Sequence, residues 1–353
     1  MGADKRLPFT PMFSYRHAFH AGNHADVLKH ATLIAILNHM LEKDAALMVV
    51  DTHAGAGLYR LDGDYAQTSG ESVEGYKKLV QSQNLKVNTA LAGVNAASIA
   101  TKKIANKAGD AVDADKLAKP AKAVKADKTT KIELAPLLQN YLAAVAEFNK
   151  TGSHRVYPGS PFIIQQLLRE HDKLKLFELH PTDARTLSDN IAQLNAGRKI
   201  AVLAQDGFEG VKKFLPPPAR RALVLCDPSY EMKDDYARVL AMVSDAMVRF
   251  ATGTYAVWYP IIPRPEAHDL PKRLKTLATK LGKSWLHATL TVKSSKLTTD
   301  AEGETVRPGL PASGMFIINP PFTLKPALAL ALPQMVAMLG QDKNAAFGLE
   351  SGG

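Results

Sequence analysis

The peptide Asp227-Pro228-Ser229-Tyr230 combines an acid, a rigid backbone and an aromatic ring directly after the apolar run 222–226. An apolar strand that ends in this way forms a pocket at the carboxyl edge of a sheet, where open α/β folds bind their ligands. The carboxylate and a nearby backbone carbonyl can accept both hydrogens of an exocyclic amine, and the Tyr230 ring offers a surface on which a flat base can stack. An ordinary turn that begins with Asp-Pro is the alternative interpretation.

A second peptide points to the ligand of such a pocket. The apolar residues 47–50 run into Asp51-Thr52-His53-Ala54-Gly55-Ala56-Gly57, where Gly55 and Gly57 allow a close approach of the backbone to a ligand and Asp51 can bind a polar group on it. The third glycine of the dinucleotide fingerprint and the Gly-Lys-Ser/Thr of a P-loop are both absent. A strand followed by acid-x-x-x-Gly-x-Gly is typical of methyltransferases that bind S-adenosylmethionine.

Two further acids follow predicted strands. Glu178 ends the second strand of the predicted sheet, where a carboxylate commonly accepts hydrogen bonds from the ribose hydroxyls of a nucleoside. Asp206, with the Gly207 backbone beside it, ends the third strand and can receive the adenine amine of the cofactor. Single acids at strand ends are common, so the acids together are stronger evidence for a nucleoside site than any one of them alone.

Several more segments complete a pattern that runs in order from residue 13 to residue 322. They are 13–30, 157–161, 178–181, 206–208, 258–260 and 312–315. With the two peptides above, they make the chain resemble amino-methyltransferases that carry a D/N/S-P-P-Y/F/W tetrapeptide. Among these the chain is most similar to the RlmJ family, which methylates N6 of an adenine in 23S ribosomal RNA.

The resemblance implies roles for individual residues. The catalytic position corresponds to Asp227, supported by Pro228 and Tyr230, and an RNA contact corresponds to Tyr15. Arg16 and His17 extend Tyr15 into an aromatic and basic cluster that suits bases and phosphates, although Tyr15 could instead anchor the segment to the core. The predicted cofactor-binding residues are His30, Asp51, His53, Gly55, Gly57, Ser160, Glu178, Asp206 and Gly207.

The chain departs from the family pattern in two places. Position 229 is serine where the family has proline, which removes one ring from the predicted pocket wall. A segment rich in alanine and lysine, residues 83–131, has no counterpart in the pattern. This segment could be a solubilising insertion or a nonspecific contact with RNA phosphates.

A second tetrapeptide, Asn319-Pro320-Pro321-Phe322, fits the amino-methyltransferase pattern better than residues 227–230 do. It follows the strand that we predict to be the last of the sheet. Because the catalytic peptide is expected after the fourth strand, we favour Asp227.

Composition sets independent bounds. The chain has 353 residues, a hydrophobic content of 46% and a net charge of +10, which favours a polyanionic partner. Much of this charge is local, since residues 77–131 contain twelve lysines and four aspartates. The single cysteine, Cys226, and the lack of a signal peptide or an apolar run of about 20 residues predict a cytoplasmic protein that does not cross a membrane. The clustered histidines 17–30 lack the accompanying ligands of a zinc site, so no metal is predicted.

Alternation of predicted strands and helices indicates an α/β protein with a doubly wound, Rossmann-like class I S-adenosylmethionine-dependent methyltransferase fold and an inserted helical subdomain. The predicted parts are an amino-terminal extension (1–11), the methyltransferase core (12–60 and 155–330), a helical insertion (61–154) and a carboxyl-terminal helix and tail (331–353).

Together these features predict a methyltransferase that acts on N6 of an adenine in 23S rRNA, with S-adenosylmethionine as cofactor and S-adenosylhomocysteine as product. The family suggests a monomer. Two alternatives stay open: a DNA adenine-N6 or other amino-methyltransferase, and a noncatalytic RNA-binding protein with the same fold.

Overall fold

A computed structural model of the chain describes residues 20–63, 71–84, 133–150, 152–296, 298–299, 305–306 and 309–353. Contacts divide the chain into two units, Met1–Val80 with Leu134–Gly353, and Gln81–Glu133. Of the second unit only 81–84 and 133 are described, and the sheet and the cavity beside it belong to the first.

The strands are, in chain order, β1 (Met48–Asp51), β2 (Leu58–Arg60), β3 (Val156–Pro158), β4 (Lys173–Phe177), β5 (Ile200–Leu203), β6 (Ala222–Cys226), β7 (Thr254–Ile261), β8 (Trp285–Thr291), β9 (Thr298–Thr299), β10 (Thr305–Val306), β11 (Ala312–Ile318) and β12 (Ala346–Gly352). The α-helices are α1 (His24–Leu41), α2 (Lys78–Asn84), α3 (Pro136–Ala146), α4 (Ser160–Leu167), α5 (Pro181–Ala192), α6 (Gly207–Gly210), α7 (Asp234–Arg249), α8 (Pro265–Lys280) and α9 (Leu324–Leu339). A π-helix, Val73–Lys77, precedes α2, and a 3₁₀-helix, Val211–Phe214, follows α6.

Eight strands form one mixed sheet in the order β12-β8-β11-β7-β6-β1-β4-β5. The strands from β7 to β5 are parallel, whereas β11 runs antiparallel to both β7 and β8. All five residues of β6 are buried, as expected for a parallel strand covered on both faces. The sheet confirms the predicted doubly wound class I methyltransferase fold. Its switch point lies at β1, which has β4 on one side and β6 on the other, and ligands bind at such points.

Helix α1 is buried on nearly all sides. The spacing of its apolar residues predicts one buried stripe, but burial extends through most of the helix and includes Asp26, Lys29 and His30. The reason is that α1 contacts β11 as well as the helices α3, α4 and α9. Such a surrounded helix keeps polar side chains only where they have partners.

The carboxyl-terminal segment differs from our prediction of a helix and tail over 331–353. Helix α9 begins at Leu324, and β12 then adds an edge strand that pairs with β8. The glycines in this segment lower its strand propensity, so the sequence pattern does not predict a strand here. At Gly348 a Cβ atom would lie 2.7 Å from the Thr289 hydroxyl oxygen, so a larger residue there would require the Thr289 side chain to shift.

The predicted insertion is described only in part. Helix α3, which we expected inside the insertion, belongs to the first unit and contributes Leu138, Tyr141 and Val145 to its core. The extension 1–11 and nearly all of 83–131 lie outside the described residues, so the remaining limits stay predictions. Of the helices in the described part of the chain, none is long and apolar enough to cross a membrane.

Candidate active site

A cavity of about 480 Å³ opens where the loops after β1, β4, β5 and β6 meet. Both peptides that we singled out in the sequence contribute to its wall. The predicted residues that line it are His30, His53, Gly55, Ser160, Glu178, Asp206, Gly207, Asp227 and Pro228. The two peptides therefore open onto one side of the molecule, as a methyl transfer between them requires.

Asp51 lies beneath this cavity rather than in its wall. Its carboxylate is fully buried and accepts hydrogen bonds from the Ser160 hydroxyl (2.7 Å) and the His53 amide (3.3 Å). Burial raises the pKa of Asp51 to about 6, and the nearby Asp227 carboxylate adds to the rise. Asp51 thus joins β1 to the start of α4, which places Ser160 and His53 at the cavity.

His53 is held neutral. Its Nδ1 lies 2.8 Å from the Thr52 hydroxyl, and its ring meets the edge of Phe208 at a centroid distance of 4.7 Å. Burial lowers the pKa of His53 to about 3. The imidazole therefore offers a hydrogen bond and an aromatic surface, but no charge, at neutral pH.

Glu178 is fixed by backbone groups on both carboxylate oxygens. Oε2 accepts from the Gly55 amide (2.8 Å) and Oε1 accepts from the His180 amide (2.7 Å). Burial raises the pKa of Glu178 although these two hydrogen bonds oppose the shift. The carboxylate is therefore oriented in advance, with lone pairs left for a diol.

Asp206 caps the short helix α6. Its Oδ1 accepts from the Phe208 amide (2.9 Å), while Oδ2 forms an ion pair with Arg238. The Arg238 guanidinium also lies 4.3 Å from the centroid of the Phe208 ring. An adenine amine would therefore share the Asp206 carboxylate with Arg238.

Two of the predicted glycines lie where a side chain would collide with neighbouring atoms. A Cβ atom on Gly207 would lie 2.0 Å from the Thr52 carbonyl oxygen, so the loops after β1 and β5 can touch only because residue 207 has no side chain. Gly57 has φ +83° and does not line the cavity, and its Cβ atom would lie 2.8 Å from Phe162. Gly57 thus shapes the turn after β1 from outside the cavity.

Asp227 is paired with a lysine from α1. Its Oδ2 accepts a short hydrogen bond from Lys29, whose Nζ also lies 2.8 Å from Oδ1 of Asp26. The exposed fractions of the Lys29 and Asp26 side chains are 5% and 2%, and that of Asp227 is 12%. Burial alone would lower the pKa of Lys29, but the two carboxylates outweigh it and raise this pKa above its ordinary value. Lys29 therefore stays charged beside Asp227.

Tyr230 does not occupy the stacking position that we predicted. Its ring is buried against Tyr236 and Trp258, and its hydroxyl donates to the Trp258 carbonyl at 2.6 Å. Its backbone has φ +56°, a conformation that bulky residues seldom adopt. Because the ring supports the peptide from behind, the stacking role stays a prediction that requires the ring to reach the cavity.

The second tetrapeptide lies at the opposite edge of the sheet. Because β11 runs antiparallel to β7, its end at Ile318 pairs with Tyr255 near the start of β7. The Asn319 amide donates to the carbonyls of Ala251 (3.1 Å) and Gly253 (2.7 Å). Asn319 is therefore a turn residue remote from the loops that form the cavity.

Several cavity residues were missed in the sequence. Lys29 had one available signal, a lysine in a helix that is otherwise largely apolar, but its partner Asp227 is 198 positions away. Leu179 and Met232 also line the cavity and are 50% and 66% exposed. Such exposed apolar side chains offer flat contact surfaces for a base. The predicted RNA-binding residues Tyr15, Arg16 and His17 lie outside the described residues.

The cavity fits a cationic nucleoside. Its volume lies in the range of about 300–1,000 Å³ that is usual for ligand sites. Acids outnumber bases in its wall, with Glu178, Asp183, Asp206, Asp227, Glu231 and Asp235 against Lys29 and Arg238. Oriented carboxylates for a ribose and an amine, apolar faces for a base and an excess of negative charge suit the sulfonium cofactor S-adenosylmethionine.

Comparisons with known proteins agree with this site. The family model described as "Ribosomal RNA large subunit methyltransferase D, RlmJ" matches residues 44–95 and 125–347. The chain is 35% identical to "Ribosomal RNA large subunit methyltransferase J" of Escherichia coli (strain K12) over 93% of this chain and 94% of that protein. The protein of the same name from Haemophilus influenzae is 33% identical, over 96% of this chain and 98% of its own length.

A solved structure of a Legionella pneumophila protein shares the fold, with a TM-score of 0.70 and 26% identity over 94% of this chain and 98% of that protein. These matches confirm the predicted family and its cofactor. The chain belongs to the RlmJ family of S-adenosylmethionine-dependent methyltransferases.

Proposed function

We propose that this chain transfers a methyl group from S-adenosylmethionine to N6 of one adenine in 23S rRNA. The observation that carries the proposal is the position of Asp227, which faces the same cavity as Glu178 and Asp206 while Lys29 holds its Oδ2. The relatives are named for methylation of large-subunit ribosomal RNA.

Acceptance of the substrate amine is the first task of the protein. S-adenosylmethionine supplies an electrophilic methyl group on a sulfonium. The second oxygen of Asp227 and the Pro228 carbonyl accept the two N6 hydrogens, which concentrates the nitrogen lone pair on the side away from them. As the N–C bond forms and the bond between the methyl carbon and sulfur breaks, with S-adenosylhomocysteine as the leaving group, the nitrogen becomes positively charged and releases one proton, which the Asp227 carboxylate can accept.

Orientation is the second task. Because Lys29 anchors Oδ2, the Asp227 carboxylate cannot rotate freely, and a fixed acceptor places the amine in line with the methyl group at little entropic cost. The acids in the cavity wall also stabilise positive charge as it appears on the nitrogen.

The remaining assignments follow the contacts described above. Glu178 accepts from the ribose hydroxyls of the cofactor, and Asp206 with the Gly207 backbone receives its adenine amine. His30, His53 and Ser160 line the same cavity and complete its wall, with Asp51 in support beneath. Tyr230 stacks the extruded substrate adenine if its ring moves to the cavity edge, and extrusion from a helix costs a few kcal/mol.

RNA is expected to bind through positive charge outside the acidic cavity. Tyr15, Arg16 and His17 supply an aromatic and basic cluster before α1, and the lysines of 83–131 are a second source of charge. We expect the protein to act as a monomer in the cytoplasm, where large-subunit RNA is available.

The test is methyl transfer from labelled S-adenosylmethionine to protein-free 23S rRNA, with duplex DNA as the competing substrate. Mass mapping of the digested RNA should find one N6-methyladenine. Transfer to DNA alone would favour the DNA methyltransferase alternative. Cofactor binding without transfer to either nucleic acid would favour a noncatalytic RNA-binding protein.

A further inference from the structure

Asp26 is a buried acid of α1 whose two carboxylate oxygens contact different groups of the described chain. Its Oδ2 accepts from the Gly22 amide at 2.8 Å, and its Oδ1 lies 2.8 Å from Nζ of Lys29. The side chain is 2% exposed and does not line the cavity. It therefore acts on the site through Lys29.

Lys29 forms ion pairs with two acids. Asp26 and Asp227 both bind its ammonium group, and Nζ also lies 5.8 Å from the centroid of the Trp258 ring. Removing an ammonium group from water is costly unless it is paired and hydrogen-bonded. With two carboxylates, the charge of Lys29 is more than balanced.

We infer that Asp26 is a positioning residue for methyl transfer, which holds Lys29 and shares its charge so that Asp227 remains available to the substrate amine. The inference rests on the proposed function of Asp227. Lys29 with a single acid would give all its charge to Asp227, and this would weaken the hydrogen bond that Asp227 accepts from the amine.

The charged groups around Lys29 and Asp227 support this role of Asp26. Lys29 of α1 pairs with both Asp26 and Asp227, and Asp51 of β1 lies near Asp227. The neutral Cys226 and Tyr230 lie near both Asp227 and Asp235 of α7. Among the described residues named here, the one cation Lys29 thus lies near the buried acids Asp26, Asp51 and Asp235 and the partly buried Asp227. Removal of the Asp26 charge would leave Asp227 as the one carboxylate that is ion-paired with Lys29 among these acids.

The variant Asp26→Asn separates the two functions of the side chain. Its amide oxygen can still accept from the Gly22 amide, while its NH₂ group faces Lys29 without charge. Lys29→Met removes the cation through which we expect Asp26 to act. The double variant completes a cycle in which the effect of Asp26→Asn is measured with and without Lys29.

Asp172→Asn is the matched control. Asp172 is also buried, and it holds the Leu47 amide (2.8 Å) and the Arg169 guanidinium (3.0 Å) at the other end of β1. Its loss should lower the free energy of unfolding without a change in the single-turnover rate of the folded protein.

Single-turnover methyl transfer is measured at saturating cofactor and RNA. We expect Asp26→Asn to lower the rate by about tenfold or more, while the Kd of S-adenosylmethionine stays within about threefold. In the Lys29→Met background the same change should alter the rate by less than about threefold. Equal losses in both backgrounds, or a Kd that rises as much as the rate falls, would overturn the inference.

Urea unfolding of the wild-type chain, the two single variants and the double variant tests the inference separately from the proposed function. If the wild-type chain transfers no methyl group to RNA, the proposed function fails. The link from Asp26 to Lys29 then still predicts that the two substitutions change the unfolding constant non-additively, by about fivefold or more. Additive changes would refute the link itself.

Discussion

The comparison of Asp227→Asn with Asn319→Ala tests which of two similar tetrapeptides performs the chemistry. Asp227→Asn keeps the size of the side chain and leaves Lys29 paired with Asp26, so the protein should remain folded. It removes the charged acceptor of the substrate amine. Loss of a general base lowers rates by about 100- to 10,000-fold, and we expect a loss in this range.

Asn319→Ala should affect stability instead. The substitution removes the hydrogen bonds to the Ala251 and Gly253 carbonyls, worth about 1 kcal/mol each. It also places alanine at φ +51°, where the left-handed conformation costs about 1 kcal/mol more. The free energy of unfolding should fall by about 3 kcal/mol in total.

The assays are single-turnover transfer to 23S rRNA, cofactor binding by calorimetry and urea unfolding. Asp227→Asn should bind S-adenosylmethionine with a Kd within about threefold of the wild-type value, because Glu178 and Asp206 are unchanged. Asn319→Ala should transfer methyl groups at the wild-type rate below its unfolding temperature. Transfer that persists in Asp227→Asn and disappears in folded Asn319→Ala would refute the assignment.

Three further outcomes are expected. Glu178→Gln should raise the Kd of S-adenosylmethionine by about tenfold or more in calorimetry, and wild-type binding should weaken as the pH falls through the raised pKa of Glu178, since the protonated acid accepts less well. Gly207→Ala should abolish cofactor binding or folding, as judged by calorimetry and circular dichroism, because its Cβ atom would meet the Thr52 carbonyl. The control is Gly63→Ala, where the nearest atom to the new Cβ would be the Arg60 carbonyl oxygen at an ordinary contact distance of 3.5 Å. His53 has a folded-state pKa of about 3, so the imidazole of the unfolded chain is protonated first as the pH falls below about 6.5. At pH 5 this difference should lower the free energy of unfolding by about 2 kcal/mol relative to the His53→Gln variant, as measured by urea unfolding. An equal pH dependence of stability in both proteins would contradict the conclusion that burial lowers the pKa of His53.

Most of the main sheet was predictable because its signals are local. Parallel strands covered on both faces appear as short apolar runs, and an acid or glycine after each run marks the carboxyl edge. β6 begins and ends with the apolar run 222–226, and β1 begins one residue after the start of the run 47–50 and ends one residue after it. β12 was not predicted, because it is a glycine-containing edge strand whose pairing depends on β8 rather than on its own composition.

The sequence alone determined which residues follow the central strands, and hence that Asp51, Glu178, Asp206 and Asp227 share one edge of the sheet. Only the tertiary structure decided that β11 is antiparallel, which sends Asn319 to the other edge, and that Lys29 meets Asp227 across 198 positions. It also placed the Tyr230 ring behind the cavity rather than inside it. The physical reason is that burial patterns record how each segment faces a core, whereas strand direction and ion pairing across the core depend on how distant segments pack together.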